Sequence, residues 1–368
     1  MKQAEDYAKE CPTWNDWKWQ FANRITTADA LSKVLPLSMD EKQDIETCLA
    51  AFRMAITPYY ASLIHPEDPQ DPIRKQCVPS ILETVPCKND MDDPLGELHD
   101  SPVPHVVHRY PDRVLLLVTL QCGMYCRHCT RRRTVGEEDC TITEQALQTA
   151  LGYIRSHEEI RDVLISGGDP LTMSTGKLEH IIASLRAIGH VDIIRMGTRV
   201  PVVLPMRITT ELTDMLKRYH PIWINTHFNH PNELTPEAAH ACAAIVDAGI
   251  PLGNQSVLLR GINDDAETMK RLLLGLVHMR VRPYYLYQCD LSNGIGHFRT
   301  SVDRGIEIMH ALTGNISGYA VPKYVIDAPS GGGKIPIGYP YVLKKDDREV
   351  VMENYLGQIY RYPQPLKD

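Results

Sequence analysis

The sequence predicts an α/β protein whose parallel sheet is closed, or nearly closed, into a barrel. Three observations indicate this. Short apolar runs rich in β-branched residues recur from residue 113 onwards, amphipathic helical stretches separate them at the spacing of βα units, and polar residues follow several of the runs. Repeated βα units give a parallel sheet with outer helices. In such barrels the chemistry gathers at the carboxyl ends of the strands.

Residues 1–108 form the first predicted region, which is helical and irregular. A Ser/Asp start, early acids and helically spaced apolar residues predict a helix over 38–56. The Pro/Asp-rich stretch 65–79 predicts an extended loop, because proline disrupts a helix interior. The chain is 368 residues long and 43 % hydrophobic, which suits one large domain with appendages.

The predicted barrel occupies residues 109–335, and a short β segment occupies 336–368. The predicted strands are 113–119, 162–167, 191–197, 222–228, 252–259, 282–288 and 324–328. Helical stretches such as 143–157 and 265–279 separate them. The run 113–119, "RVLLLVT", is continuously apolar, which is typical of a strand buried on both faces. Residues 341–362 predict a hairpin with a charged turn.

Composition limits the partners and the compartment. The net charge of −7 argues against a nucleic-acid partner. No apolar run approaches the roughly 20 residues that cross a bilayer, and no signal-peptide segment opens the sequence. We therefore expect a cytoplasmic protein without a membrane partner. In that reducing compartment, a tight cysteine group favours a metal over a disulfide.

One cysteine group is tight: Cys122, Cys126 and Cys129, spaced C-x3-C-x2-C directly after the first predicted strand. Three thiolates can hold three irons of a 4Fe–4S cluster and leave the fourth iron without a protein ligand. The alternatives are a zinc knuckle with a distant fourth ligand, or buried free cysteines. Zinc sites favour two C-x2-C pairs, and the second pair is missing from this sequence.

A second candidate segment is "DAPSGGGKIP", residues 327–336, in which three glycines precede Lys334. It lacks the leading glycine and the following Ser/Thr of a phosphate-binding P-loop. A flexible tether would suit a lysine that forms and releases a Schiff base. Without further support, a surface loop that ends in a solvated lysine is the alternative.

These motifs together resemble a known family. The cysteine spacing resembles the signature of the radical S-adenosylmethionine (SAM) superfamily. "MYCRHCTRRR", with "HRYPDRVLLL" before it and "SGGDPL" after it, is similar to the lysine 2,3-aminomutase family. The resemblance runs from residue 14 to the final hairpin. It implies a partial (β/α)6 TIM-like radical SAM barrel that uses a 4Fe–4S cluster, SAM and pyridoxal 5′-phosphate (PLP).

The resemblance also implies roles for individual residues. Lys334 would be the catalytic PLP lysine with Arg109 and Tyr110 beside it, and Arg131 would bind the substrate carboxylate. The SAM side would be lined by Ser166, Gly167, Gly168, Asp169, His227 and Gln255. Taken one at a time, these residues also fit structural roles. Residues 166–169 could form an ordinary βα turn, and His227 and Gln255 could be hydrogen-bonded polar residues of the core. Arg109 could form an ion pair, and arginines 131–133 could neutralise nearby acids.

Asp290 and Asp327 decide the expected substrate. Asp290 follows one predicted strand and Asp327 lies near the end of another. Two enclosed carboxylates need a cation, which a protonated side-chain amine would supply. In the lysine-specific branch both positions are aspartates that bind the ε-ammonium, whereas glutamate-specific relatives are not acidic at both. The resemblance thus implies an isomerase that moves the α-amino group of L-lysine to the β-carbon, giving β-lysine.

Other functions remain open at this point. They are arginine 2,3-aminomutase giving β-arginine, a radical SAM enzyme without PLP, and a non-catalytic iron- or zinc-binding protein. The resemblance further implies a reductant protein such as flavodoxin or ferredoxin and a homo-oligomer, either dimer or tetramer. Some members of the resembled family bind a structural zinc through cysteines of a C-terminal tail and one cysteine of a neighbouring subunit. We expect no such zinc, because no cysteine follows Cys289 and Asp265 stands where the cysteine for the neighbouring subunit would be.

Overall fold

The centre of the protein is a nine-stranded sheet that forms an incomplete barrel. The computed structural model describes residues 11–136 and 140–365. Strand order follows the chain, and seven parallel strands, β2 to β8, are flanked by antiparallel β1 and β9. The strands are β1 Val106–Tyr110, β2 Arg113–Thr119, β3 Asp162–Gly167, β4 Ile193–Gly197, β5 Ile222–Thr226, β6 Leu252–Leu258, β7 Arg282–Gln288, β8 Lys323–Ala328 and β9 Gly333–Pro336. The predicted α/β barrel is confirmed.

Short helices precede the barrel: α1 Trp17–Ala22, α2 Ala28–Leu31, α3 Met39–Leu49, α4 Pro58–Ala61 and α5 Pro72–Cys77. The predicted helix over 38–56 starts correctly, at a Ser38/Glu41 capping box, but ends at Leu49. The prediction of an extended loop over 65–79 was wrong for its second half. Pro72 begins α5, where proline is tolerated because the first helical N–H has no partner, and Asp71 caps it.

Helices connect the parallel strands: α6 Glu144–Arg155, α7 Thr175–Arg186, α8 Val200–Val203, α9 Thr210–Lys217, α10 Pro236–Asp247, α11 Ala266–His278 and α12 Val302–Leu312. They form six connections between seven parallel strands, with α8 and α9 sharing one. The predicted set of six βα units is therefore confirmed. Their apolar faces pack on the outside of the sheet in one large core cluster.

The inside of the barrel is an open cavity rather than a second core. Along β2, Val114, Leu116 and Val118 are buried, whereas Arg113, Leu115 and Leu117 are only half-buried. Arg113 and Leu115 line the cavity. The expectation that this strand is buried on both faces was wrong, because its inner face borders a space large enough for ligands.

A separate three-stranded antiparallel sheet follows the barrel, formed by β10 Val342–Lys345, β11 Glu349–Glu353 and β12 Ile359–Pro363. The predicted hairpin corresponds to β10 and β11, and β12 adds a third strand. Residues 1–10 and 366–368 of the predicted terminal regions lie outside the described residues. Across the described chain, no helix has the length and apolar composition that spanning a membrane requires.

Candidate active site

A single cavity of about 1040 Å³ occupies the barrel and its mouth. Every residue predicted for a site contributes to its lining. These residues are Arg109, Tyr110, Cys122, Cys126, Cys129, Arg131, Ser166, Gly167, Gly168, Asp169, His227, Gln255, Asp290, Asp327 and Lys334. They lie up to 225 residues apart in sequence. The parallel strands bring most of them together because these strands all end at the same side, whereas Arg109, Tyr110 and Lys334 come from the antiparallel strands β1 and β9.

The cysteine loop begins three residues after β2. None of its three thiols is in a disulfide, and Cys126 Sγ accepts a hydrogen bond of 2.8 Å from Arg199 Nη1. Burial raises the pKa of Cys129 to about 11 and also raises the pKa of Cys122. A bound metal cation would offset this cost and keep the thiols deprotonated. The donor set therefore fits a cluster ligated by three cysteines.

A buried ion network supports the loop from outside. Glu83 is inaccessible to solvent and accepts hydrogen bonds from Arg127 Nε, at 2.9 Å, and Nη2, at 2.5 Å. Arg132 Nη2 donates to the same carboxylate, and Arg127 Nη1 donates to Arg53 O at 2.7 Å. Arg132 thus has the structural role that was its alternative interpretation. The network joins the loop to the N-terminal helical region.

The glycines of the "SGGD" turn are needed for packing against backbone. A Cβ at Gly167 would lie 2.3 Å from Thr119 O, and one at Gly168 would lie 2.2 Å from Gln121 O. Gly168 N–H donates to Thr119 O at 2.6 Å. We expected these glycines to allow close approach of a ligand; the close approach that they allow is to the segment leading into Cys122.

Asp169 and Arg199 connect this turn to the cysteine loop. The Asp169 carboxylate accepts from Thr198 Oγ1 at 2.7 Å and from the Arg199 backbone N–H at 2.6 Å. The buried Arg199 side chain then reaches Cys126 and pairs with Glu233 at 2.7 Å. The sequence interpretation missed Arg199. Arg199 could have been identified by the pattern that marks other site residues, because it is a polar residue just beyond the predicted strand 191–197.

His227 and Gln255 differ in how they are held. His227 Nε2 lies 3.3 Å from His128 Nε2 and 3.1 Å from Asn229 Nδ2. Burial, followed by the charge of Arg199, lowers the pKa of His227 to about 3, so the imidazole is neutral near pH 7. Within the described chain, the Gln255 side chain has no hydrogen-bond partner, which leaves its amide open to the cavity.

Lys334 lies on a strand. In the β8–β9 pair it is directly opposite Asp327, and its Nζ donates to the two carboxylate oxygens of Asp327 at 3.1 and 3.3 Å. Its backbone N–H donates to Tyr110 Oη at 3.0 Å. The flexible tether stays a prediction; in the structure the glycines form a tight turn, with Ser330 at φ 59° and Gly331 at φ 89°. This turn leads directly into β9, which carries Lys334.

The two aspartates share one end of the cavity with Lys334. Burial, followed by the charge of Asp327, raises the pKa of Asp290 to about 7. Asp327 is part of β8, whereas Asp290 lies two residues beyond the end of β7. The Lys334 ammonium neutralises one negative charge of the Asp290–Asp327 pair. A second cation, such as the substrate ammonium predicted from the sequence, would neutralise the other.

Arg109 and Tyr110 lie at the end of β1. Arg109 Nε donates to Asp100 at 2.8 Å, and its Nη2 donates to Leu95 O, so the ion pair that was its alternative interpretation is present. Arg113, which was not predicted, lines the same cavity and stacks on the Tyr110 ring at 4.0 Å. It alternates with buried residues of β2, the pattern of an inward-facing side chain.

Arg131 is held by a carboxylate that was also not predicted. Its Nε lies 3.0 and 2.9 Å from the two Glu97 oxygens, and its Nη2 lies 2.5 Å from Oε1. Arg133 pairs with Asp93 at 3.1 Å. Asp265, the residue discussed for zinc, caps α11 by accepting from Thr268 N–H at 2.8 Å. In residues 11–136 and 140–365, no three His, Cys, Asp or Glu side chains form a group suited to one metal ion.

Comparison with known proteins gives matches along most of the chain. Residues 116–273 match the radical SAM superfamily, and residues 309–368 match the family described as lysine-2,3-aminomutase. The L-lysine 2,3-aminomutase of Clostridium subterminale is 56 % identical over 353 residues, covering 96 % of this chain and 85 % of that protein. The L-lysine 2,3-aminomutase of Bacillus subtilis is 52 % identical, covering 96 % and 75 %. The glutamate 2,3-aminomutase of Clostridioides difficile is 47 % identical, covering 95 % and 82 %.

Proposed function

The chain belongs to the lysine 2,3-aminomutase family of radical SAM enzymes, and on that premise we propose that it isomerises L-lysine to β-lysine. The α-amino group moves to the β-carbon. One observation carries the proposal: three free thiols, a lysine paired with an aspartate, and a second, partly buried aspartate all line one cavity of about 1040 Å³. The cavity is large enough for several small molecules bound side by side.

The thiol end of the cavity suits the cluster and SAM. When bound, a 4Fe–4S cluster and SAM supply an organic radical that removes a hydrogen atom from the substrate. Cys122, Cys126 and Cys129 would hold the cluster, and Arg199 already donates a hydrogen bond to one of the sulfurs. The turn 166–169, the neutral His227 and the Gln255 amide would bind SAM, which presents both hydrogen-bond donors and acceptors.

The Lys334 end suits PLP, which stabilises an adjacent radical and carries amino groups. Lys334 would bind its aldehyde, and Asp327, at 3.1 Å, orients the Lys334 amine by accepting a hydrogen bond from it. Arginine pairs well with phosphate through parallel hydrogen bonds. Arg113 and the unpaired edge of Arg109 are therefore assigned to the phosphate, with Tyr110 against the cofactor.

The charges of the cavity favour a cationic amino acid. Arg131 would bind the α-carboxylate, while Asp290 and Asp327 would bind the side-chain ammonium by charge-assisted hydrogen bonds. A glutamate side chain would place a third carboxylate against these two, which like-charge repulsion disfavours. Arginine carries the same charge as lysine, so it is the second candidate, and the products of the assay below distinguish them.

Several predictions concern the rest of the molecule. They are the division into regions 1–108, 109–335 and 336–368, a reductant protein such as flavodoxin or ferredoxin, a homo-oligomer, and a cytoplasmic location. Each stays a prediction.

An anaerobic assay tests the proposed function. The protein, reconstituted with iron, sulfide and PLP, is incubated with SAM and dithionite, and lysine, arginine and glutamate are offered separately. We expect β-lysine as the main product. A protein that cleaves SAM but converts none of the three amino acids would contradict the proposal.

A substitution separates the two ends of the cavity. Lys334→Ala should abolish the PLP-imine absorbance and the aminomutase activity, while the 4Fe–4S content and reductive SAM cleavage remain. If all of these properties are lost together, Lys334 has a structural role instead. Lys345→Ala, which removes an exposed lysine from β10 away from the cavity lining, is the matched control.

A further inference from the structure

Glu97, in the segment that precedes the barrel in sequence, holds Arg131, the arginine that we assign to the carboxylate of the substrate. Glu97 faces Arg131 edge to edge and takes the donors of Nε and Nη2, with three contacts between 2.5 and 3.0 Å. The Glu97 side chain is 9 % exposed and that of Arg131 is 21 % exposed. Such a paired geometry fixes the plane of the guanidinium, because two parallel hydrogen bonds permit only one orientation.

The opposite edge of Arg131 stays open. Among the described residues, Nη1 has no hydrogen-bond partner, and Arg131 and Glu97 both line the cavity. A guanidinium has five N–H donors, so Glu97 leaves a second forked edge, formed by Nη1 and Nη2. That edge can bind a second carboxylate in the same paired geometry. Because the guanidinium is planar, the direction of this free edge is set by the edge that Glu97 binds.

Glu97 itself is held rigidly by the strap, which we define as residues 93–100. Pro94 O accepts from Ser330 N–H at 2.9 Å in the turn before Lys334, and Leu95 O accepts from Arg109. A Cβ on Gly96 would lie 2.9 Å from the Ser330 carbonyl carbon, so the two backbones are in direct contact. Three consecutive strap residues therefore contact the Lys334 end of the cavity, and the next, Glu97, contacts the thiol end.

We propose that Glu97 is a positioning residue that aims the free edge of Arg131 at the carboxylate of the amino-acid substrate. The inference rests on the proposed function and deepens it. Because the strap contacts the turn before Lys334, the position of the carboxylate is set relative to the lysine that binds PLP. Glu97 also keeps the partly buried Arg131 charge paired before substrate enters, when an unpaired guanidinium would be unfavourable.

The test measures ligand affinity without turnover. The holoenzyme with PLP is titrated anaerobically, without reductant, and the change in PLP absorbance reports binding. The two ligands are L-lysine and 1,5-diaminopentane, which is lysine without its carboxylate. The proteins are wild type, Glu97→Gln and the matched control Asp93→Asn. Asp93 pairs with Arg133 in the same strap and the same arginine run, but Arg133 does not line the cavity.

Glu97→Gln should weaken lysine binding about tenfold, the change expected from one charge-assisted hydrogen bond. Its amide NH2 would face the Arg131 donors and break the paired geometry. Binding of the diamine should change less than about twofold, since it does not use Arg131. Asp93→Asn should leave the ratio of the two affinities at the wild-type value.

Other outcomes overturn the inference. Equal weakening of both ligands by Glu97→Gln would mean that Glu97 only maintains the fold, and tighter lysine binding would mean that Glu97 competes with the substrate for Arg131. If Glu97→Gln leaves the affinity for lysine unchanged, Glu97 does not position Arg131 for the substrate. If wild type itself gives no lysine-dependent change in absorbance, the proposed function fails rather than the inference about Glu97.

Discussion

Replacing Gly168 with alanine is expected to destabilise the protein and reduce the iron that it holds. The new Cβ would lie 2.2 Å from Gln121 O and 2.8 Å from the Leu120 carbonyl carbon. Non-bonded carbon and oxygen atoms need about 3.5 Å, so the two backbone segments would have to separate by about 1 Å. The 2.6 Å hydrogen bond from Gly168 N–H to Thr119 O would lengthen with them.

The expected magnitude follows from which atoms collide. Overpacking a well-packed site costs about 1–3 kcal/mol. The nearest neighbours of the new methyl group are backbone atoms of Leu120 and Gln121, which cannot turn aside as a side chain does, so we expect about 3 kcal/mol of lost unfolding free energy. Gln121 directly precedes Cys122, and the shift would therefore move a cluster ligand.

Two measurements check this prediction. Denaturant unfolding gives the change in stability, and iron and sulfide per chain after anaerobic reconstitution give the state of the cluster site. Gly152→Ala is the matched control: Gly152 is in α6, and a Cβ there meets nothing within 4 Å. The control should gain about 0.5–1 kcal/mol, because alanine favours a helix over glycine. A Gly168→Ala protein with wild-type stability and full iron content would refute the reasoning.

Three further predictions follow from charges and backbone geometry. Because burial raises the pKa of Asp290 from 3.8 to about 7, the folded protein binds a proton that the unfolded chain has released. Stability of the ligand-free protein should therefore fall as pH rises through that window, and Asp290→Asn should flatten the slope of unfolding free energy against pH. Glu83→Gln leaves two buried arginines without their carboxylate and should cost about 3–5 kcal/mol in the same unfolding assay; a loss below about 1 kcal/mol would contradict the network. Ser330→Gly should raise the melting temperature, since φ 59° costs a non-glycine residue about 1 kcal/mol; a lower value would mean that the serine side chain stabilises the turn.

Much of the barrel could be predicted because its signals are local. The strands over 113–119 and 162–167 have the predicted bounds, since each is built on a short apolar run next to polar residues. Site residues at strand ends follow from the same pattern, because a parallel sheet brings those ends together. Asp290 and the cysteine loop are examples.

Tertiary partners could not be predicted in this way. Glu97 lies 34 residues from Arg131 in an irregular Asp-rich stretch, and nothing local marks it as a partner. The glycines before Lys334 predict freedom of the backbone, but in the fold they allow a tight turn against the strap. The helix over 38–56 ends early because residues after Leu49 turn back, so that Ile56 pairs with Ile25.

The strap also sets the order in which the molecule can be assembled. It is synthesised early, yet its partner Ser330 leaves the ribosome about 230 residues later. The contact between the strap and the turn before Lys334 therefore forms only when the chain is nearly complete, after most βα units have had time to form.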